Sequence, residues 1–320
     1  MGLSQVSSAF YYGDSIPNFK RFNSIGLIKT SSASDVITDS AAGATAFSTG
    51  EKTYNGSIGM NIDTIPQKNI IEKVSAFGMK TAVIATSSIT HATPASFYAH
   101  VKSRELPEEI ASCLHQSDLD YFAAGGLKFF TKRKDSINYL KKLEENGFTM
   151  QTDSLFQKKP LVNKHKYGFL LAQDGMPKIS EGRGPFLRDA TLQELKYLSK
   201  SDNGFFMLIE DSQIDWAGHK NDASYIINEV KDFDSTIGVV LDYAQKEGNT
   251  LVIVTADHET GGFTLASSKK TDANRNSIND YKNIKPTFST KGHSIFPLDQ
   301  TYNLVKDSYF KTKIRIFFSQ

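Results

Sequence analysis

In LIEDSQIDWAGHKND, residues 208–222, a carboxylate and an imidazole lie four residues apart at Asp215 and His219. On a helix that spacing puts both on one face, where they suit a zinc ion or form an ordinary surface pair. Glu210 closes the apolar run ahead of them. In VIVTADHETGGFTL, residues 252–265, Asp257 and His258 are adjacent where an apolar strand ends. Neighbouring strand residues point to opposite faces, so both reach one ion only if the strand has already broken into a loop. Gly261 and Gly262 permit the sharp turn that follows, and the alternative is a solvated pair at a strand end.

SSITHATPASFYAHVKSRE, residues 87–105, places His91 and Thr93 after a third apolar run. Pro94 is expected at the first position of a helix, with Arg104 near its end. From there Arg104 can fold back as a two-pronged clamp on phosphate or carboxylate oxygens, or remain a solvated helix residue; His100 reads as packing or surface. His293 follows in FSTKGHSIF, so four of the seven histidines, His91, His219, His258 and His293, stand at candidate positions in these segments beside His100. TDSAAGATAFSTG, residues 38–50, sets Asp39 and Ser40 before a run of small residues. Such a pair is an ordinary helix cap, and a reactive serine there is compatible with capping because a helix N-terminus receives phosphate well.

KTAVIATSS (80–88), GFFMLIE (204–210) and NTLVIVTADHE (249–259) read as buried strands. NIIEKVSAFG reads as a helix ending at Gly78, and DASYIINEVKDFDSTIGVVLDYAQKEG as a long crossover helix ending at Gly248. The alternation predicts a parallel α/β fold with the acidic and histidine residues at the carboxyl edge of the sheet, where such folds bind ligands. One large domain is expected over 1–320. Residues 131–147 read as a solvated helix and 266–290 as a loop or polar surface excursion.

A net charge of +2 with no basic cluster excludes a nucleic-acid or membrane-surface role. Cys113 is the only cysteine, so no internal disulfide can form. No run of about 18 apolar residues is present, as a membrane span would need, and the first residues lack the charged and apolar regions of a signal peptide.

TDSAAGATAFSTGEKTYNG, HATPASFYAHVKSR, IEDSQIDWAGH, TADHETGG and KGH together, in this order, resemble the alkaline phosphatase family of metal-dependent phosphate monoesterases. The resemblance implies a three-layer fold, a central mostly parallel sheet with helices on both faces. It implies Ser40 as a nucleophile that becomes phosphorylated, and Asp215, His219 and His293 as ligands of one zinc ion. Asp257 and His258 match ligands of a second zinc, Thr93 and Glu210 ligands of a magnesium ion, and Arg104 the arginine that holds phosphate. Asp39 is expected to orient Arg104 or a nearby amide. His91, near the magnesium or bound to a metal directly, and Trp216, as a wall beside the phosphate, resemble a bacterial branch that includes cold-active enzymes. Small phosphate monoesters as substrates, an extracytoplasmic (periplasmic or secreted) location and a homodimer are further implications.

The family pattern also has an apolar first strand and a metal-bridging Asp ahead of the residues that match MGLSQVSSAF. Their absence implies an N-terminally truncated chain, with a gap or a bared strand edge in the sheet. The rival expectation is therefore a catalytically impaired metal- or phosphate-binding fragment. Residues 294–320 depart from the family pattern as a divergent tail, in which IRIFF can still form a strand.

Overall fold

The computed structural model describes residues 1–156, 161–162, 165–271, 277–288 and 313–319. Its strands are β1 (Lys80–Ser88), β2 (Tyr121–Gly125), β3 (Phe148–Gln151), β4 (Lys166–Leu170), β5 (Phe205–Asp211), β6 (Thr250–Thr255), β7 (Phe263–Thr271), β8 (Ser277–Phe288) and β9 (Lys313–Ser319). Seven of them form one sheet in the order β3-β4-β2-β1-β5-β9-β6, and every neighbouring pair is parallel. β9 lies between β5 and β6, so no gap interrupts the sheet among the described strands.

The period-2 alternation of a strand divides the core into two layers. Ala82, Ile84, Tyr121, Ala123, Met207 and Ile209 face one cluster, which the helices Phe186–Leu198 and Ala223–Glu247 cover. Val83, Ala85, Phe122, Ala124, Phe206 and Leu208 face the other, covered from Ser40–Thr49, Ile70–Ser75 and Pro107–Leu114. The three expected strands and the crossover helix form where the apolar periodicity places them, but β6, expected to be buried, is an edge strand among the described residues with Leu251 and Ile253 exposed. That helix starts at the Asp222 side chain, which accepts from the Tyr225 amide, and stops at Gly248 with φ 78°.

Three expectations are corrected. The helix containing Pro94 is only Ala92–Ala95, with Pro94 at its third residue, where the amide that proline lacks has no intrahelical partner in any case. The chain then leaves helical geometry because its backbone pairs with the 56–58 segment: Val101 N donates to Ile58 O at 2.9 Å and Arg104 N to Gly56 O at 2.8 Å. Within the 131–147 stretch the helix is confined to Tyr139–Glu145, started by the Asn138 cap, and Thr131 ends a separate short helix, Lys128–Thr131. The 266–290 excursion contains an antiparallel ladder, with β7 and β8 paired from Phe263↔Phe288 to Thr271↔Ser277.

Glu194 lies on the apolar stripe of its helix and is fully buried. Neither carboxylate oxygen has a hydrogen-bond partner among the described residues. Burial, reinforced by the charge of Asp120, pushes its pKa well above the ordinary value. A group raised in the folded state loses its contribution to stability as pH rises through the folded pKa. Glu194→Met is therefore expected to raise the unfolding temperature more at about pH 9 than at about pH 5, corresponding to about 1–3 kcal/mol at the higher pH. Equal shifts in thermal melts at the two pH values would contradict this.

Candidate active site

The site lies at the carboxyl edge of β1, β5 and β6, where three strand ends and one helix start converge. Asp39 caps the Ser40–Thr49 helix, its Oδ1 accepting from Ala42 N at 2.9 Å, so Ser40 is the first helical residue. The small residues behind it let this helix approach the β6 end: a Cβ on Gly43 would stand 2.8 Å from the Asp257 Cβ. Ser40 is buried, and its Oγ lies 3.1 Å from His258 Nε2. No histidine stands beside Ser40 in the sequence, because His258 is 218 residues away.

β6 ends at Thr255, so Asp257 and His258 sit in the loop after it, as joint use of both side chains requires. Gly261 and Gly262, at φ 83° and 63°, turn the chain away. Asp257 Oδ2 lies 3.5 Å from His258 Nε2. On the helix Gln213–His219, Asp215 Oδ2 lies 3.4 Å from His219 Nε2, and Asp215 Oδ1 is 4.0 Å from His258 Nδ1. Thr260 joins them, donating to Asp215 Oδ1 and lying 3.2 Å from His258 Nδ1. Burial alone would raise the Asp215 carboxyl; hydrogen bonding from His219 and the imidazoles of His258 and His219 hold it well below the usual carboxylate range.

Glu210, at the end of β5, is fully buried, and burial pushes its pKa up to about 7 against hydrogen bonds from Ser212, Thr93 and Ser87. Its Oε2 accepts from Ser212 Oγ at 2.5 Å and Ser87 Oγ at 3.3 Å, whereas Oε1 is buried without a hydrogen bond. Arg104 returns to the helix start: Nη1 donates to Asp39 Oδ2 at 3.1 Å and Nη2 lies 3.4 Å from His91 Nε2. Burial, then the Arg104 charge, lowers the His91 pKa to about 3, so a neutral ring accepts from the guanidinium. His91 meets Trp216 edge-on, with ring centroids 5.7 Å apart.

The family model for alkaline phosphatase matches residues 4–292. The chain belongs to the alkaline phosphatase family. It is 38% identical to alkaline phosphatase 4 of Bacillus subtilis over 241 residues, 72% of this chain and 51% of that protein. It therefore spans about half the length of that curated relative. The alkaline phosphatase of the Antarctic bacterium TAB5 is 52% identical, with a TM-score of 0.86 over 93% of this chain and 85% of that one. A variant of the TAB5 enzyme with magnesium in its M3 site superposes with a TM-score of 0.87 at 49% identity, over 99% of this chain and 91% of the other.

Within this alkaline phosphatase architecture, the donor set suits metal ions. Two buried carboxylate oxygens, Glu210 Oε1 and Asp257 Oδ2, have no hydrogen-bond partner among the described residues, and His258 and His219 add imidazole nitrogens. His293 lies outside the described residues. Sequence reasoning missed Thr260 and Ser212, whose signal was their placement two residues after His258 and Glu210, and Ser87, which stands four residues before His91. It also missed a buried cluster behind β5, where Asp211, Glu229 and Asp232 place oxygens within 4.8 Å of one another. That cluster already contains a cation, because Arg183 pairs with Glu229 and lies 2.9 Å from Asp232.

Proposed function

We propose that this chain hydrolyses small phosphate monoesters through a phosphorylated Ser40. The observation that carries the reading is the convergence at one helix start of Ser40 Oγ, His258 Nε2 at 3.1 Å and an Arg104 guanidinium fixed by Asp39 at 3.1 Å. Asp215 and His219 would hold one zinc ion together with His293, which lies outside the described residues, Asp257 and His258 a second, and Thr93 and Glu210 a magnesium ion. When bound, these ions supply positive charge against the phosphoryl group and lower the pKa of coordinated oxygens.

The residues themselves perform the rest. Arg104 and the free amides at the start of the Ser40 helix bind the non-bridging phosphoryl oxygens and orient the phosphorus toward Ser40. Asp39 holds the Arg104 fork and, through Gly56 N at 3.0 Å, ties the helix start to the 56–58 segment. Ser40 Oγ forms the new P–O bond as the ester oxygen leaves with the bonding pair and takes a proton, and water then cleaves phosphoserine to inorganic phosphate. Trp216 and His91 close one wall, which confines the phosphoryl group beside Arg104.

Attack by water on the phosphoserine is favoured by its deprotonation, so acid slows that step and favours the intermediate. Mixing the metal-loaded protein with an aryl phosphate at about pH 5 and quenching in acid is expected to leave a phosphoryl group on the Ser40 peptide. Mass spectrometry that finds turnover but no phosphoryl group on Ser40 would overturn the covalent route.

A further inference from the structure

Trp216 is the only tryptophan of the chain, and its ring is pressed by a turn that contributes no residue to the chemistry described above. Gly175 lies on that turn. A Cβ there would stand 2.5 Å from Trp216 Cη2 and 2.9 Å from Cζ3, inside van der Waals contact, with Ser87 Cα at 3.5 Å. Gly175 does not occupy the left-handed region, so an alanine is compatible with its backbone and only the contact with Trp216 opposes it.

The turn is fixed on both sides and has little room to retreat. Met176 N donates to Thr86 O at 3.0 Å, and Gln213 Nε2 donates to Met176 O at 2.8 Å. Ala172 O accepts from the amides of Gly126 and Leu127, both at 3.0 Å, and Gln173 O from Lys128 at 3.1 Å. The Trp216 ring, in contrast, is one half-buried side chain whose other neighbours include the His91 ring. His91 Nε2 in turn meets Arg104 Nη2 at 3.4 Å. A push on Trp216 therefore passes by direct contact to His91 and then to the guanidinium.

We propose that Gly175 is a positioning residue for Arg104, acting through Trp216 and His91. The proposal rests on the reading of Arg104 as the residue that binds phosphate. The bare backbone at position 175 lets the turn buttress the tryptophan without displacing it, and the tryptophan keeps the guanidinium aimed at the phosphoryl oxygens between His91 and Asp39.

The test compares Gly175→Ala, Trp216→Phe and the double variant in the metal-loaded protein. Phenylalanine lacks the outer indole atoms that an added Cβ would meet. Gly175→Ala is expected to shift Trp216 emission and to raise both KM for an aryl phosphate and the inhibition constant of inorganic phosphate about tenfold, with kcat changed less than about threefold. In the Trp216→Phe background the same substitution is expected to change the phosphate constant less than about twofold. An unchanged phosphate constant in Gly175→Ala, or an equal penalty in both backgrounds, overturns the proposal. Should Gly175→Ala fail to fold, a folded double variant supports the overlap and an unfolded one overturns it. If the native chain hydrolyses nothing, the proposed function fails on its own. Inorganic phosphate titrated against Trp216 emission then still decides the positioning: a shifted half-saturation in Gly175→Ala supports it, and coincident curves overturn it.

Discussion

Ser40→Ala is expected to lower kcat for an aryl phosphate by roughly 10³-fold or more while changing thermal stability little. The stability side follows from the local geometry. Asp39, not Ser40, caps the helix, and its bond to Ala42 N survives the substitution. Ser40 is the first helical residue, and alanine is the best helix former. Among the described residues, the hydrogen bond the Ser40 hydroxyl loses is the one with His258 Nε2 at 3.1 Å. The loss of activity is then chemical, because the substitution removes the attacking hydroxyl itself. Initial rates, zinc content and thermal melts of both proteins check this together. Retention of more than about a tenth of the rate with full metal content would mean that water attacks the ester directly.

Legibility in the sequence followed the range of the interactions involved. β1, β5, β6 and the Ala223–Glu247 helix were readable because apolar period and caps are local properties. The Asp215–His219 pair was readable for the same reason, being one helical turn apart. The contact of Ser40 with His258 was not, since nothing local to either residue encodes a neighbour 218 positions away. Arg104 was assigned to a helix that ends near Ala95, because the backbone of Val101 pairs with Ile58 and that of Arg104 with Gly56. The family resemblance named these residues together, and the packing of Gly43 on Asp257 shows how the chain brings two of the segments into contact. Glu194 and Glu229 carried a signal that went unread: each occupies an apolar stripe, with Leu187, Ala190, Thr191, Leu195 and Leu198 around the first and Ile226, Val230 and Phe233 around the second. A charge on a buried stripe calls for a partner, and Glu229 has one in Arg183.

Arg183→Met is expected to destabilise the fold by about 3–5 kcal/mol at neutral pH, because it strips the counter-ion from a buried group of carboxylates. The side chains of Arg183 and Glu229 are 0% exposed and that of Asp232 is 8% exposed. Asp211, bound to Thr86 Oγ1 at 2.9 Å, has a second oxygen buried without a hydrogen bond. Burial raises all three carboxyls above their ordinary values, and the Arg183 charge opposes that rise. Without the arginine their folded pKa values rise further, so the penalty is smallest below the unfolded carboxyl range, under about pH 3, and grows as pH increases. Methionine fills much of the volume of the arginine stem, which separates the charge effect from a cavity. Arg183→Met combined with Glu229→Gln and Asp232→Asn is then expected to recover most of the loss, since no unpaired charge pair remains beside Asp211. Denaturant unfolding at about pH 5 and about pH 8 measures both effects. A loss independent of pH, or one that the triple variant fails to recover, would mean that Arg183 acts through packing and not as the cation of the cluster.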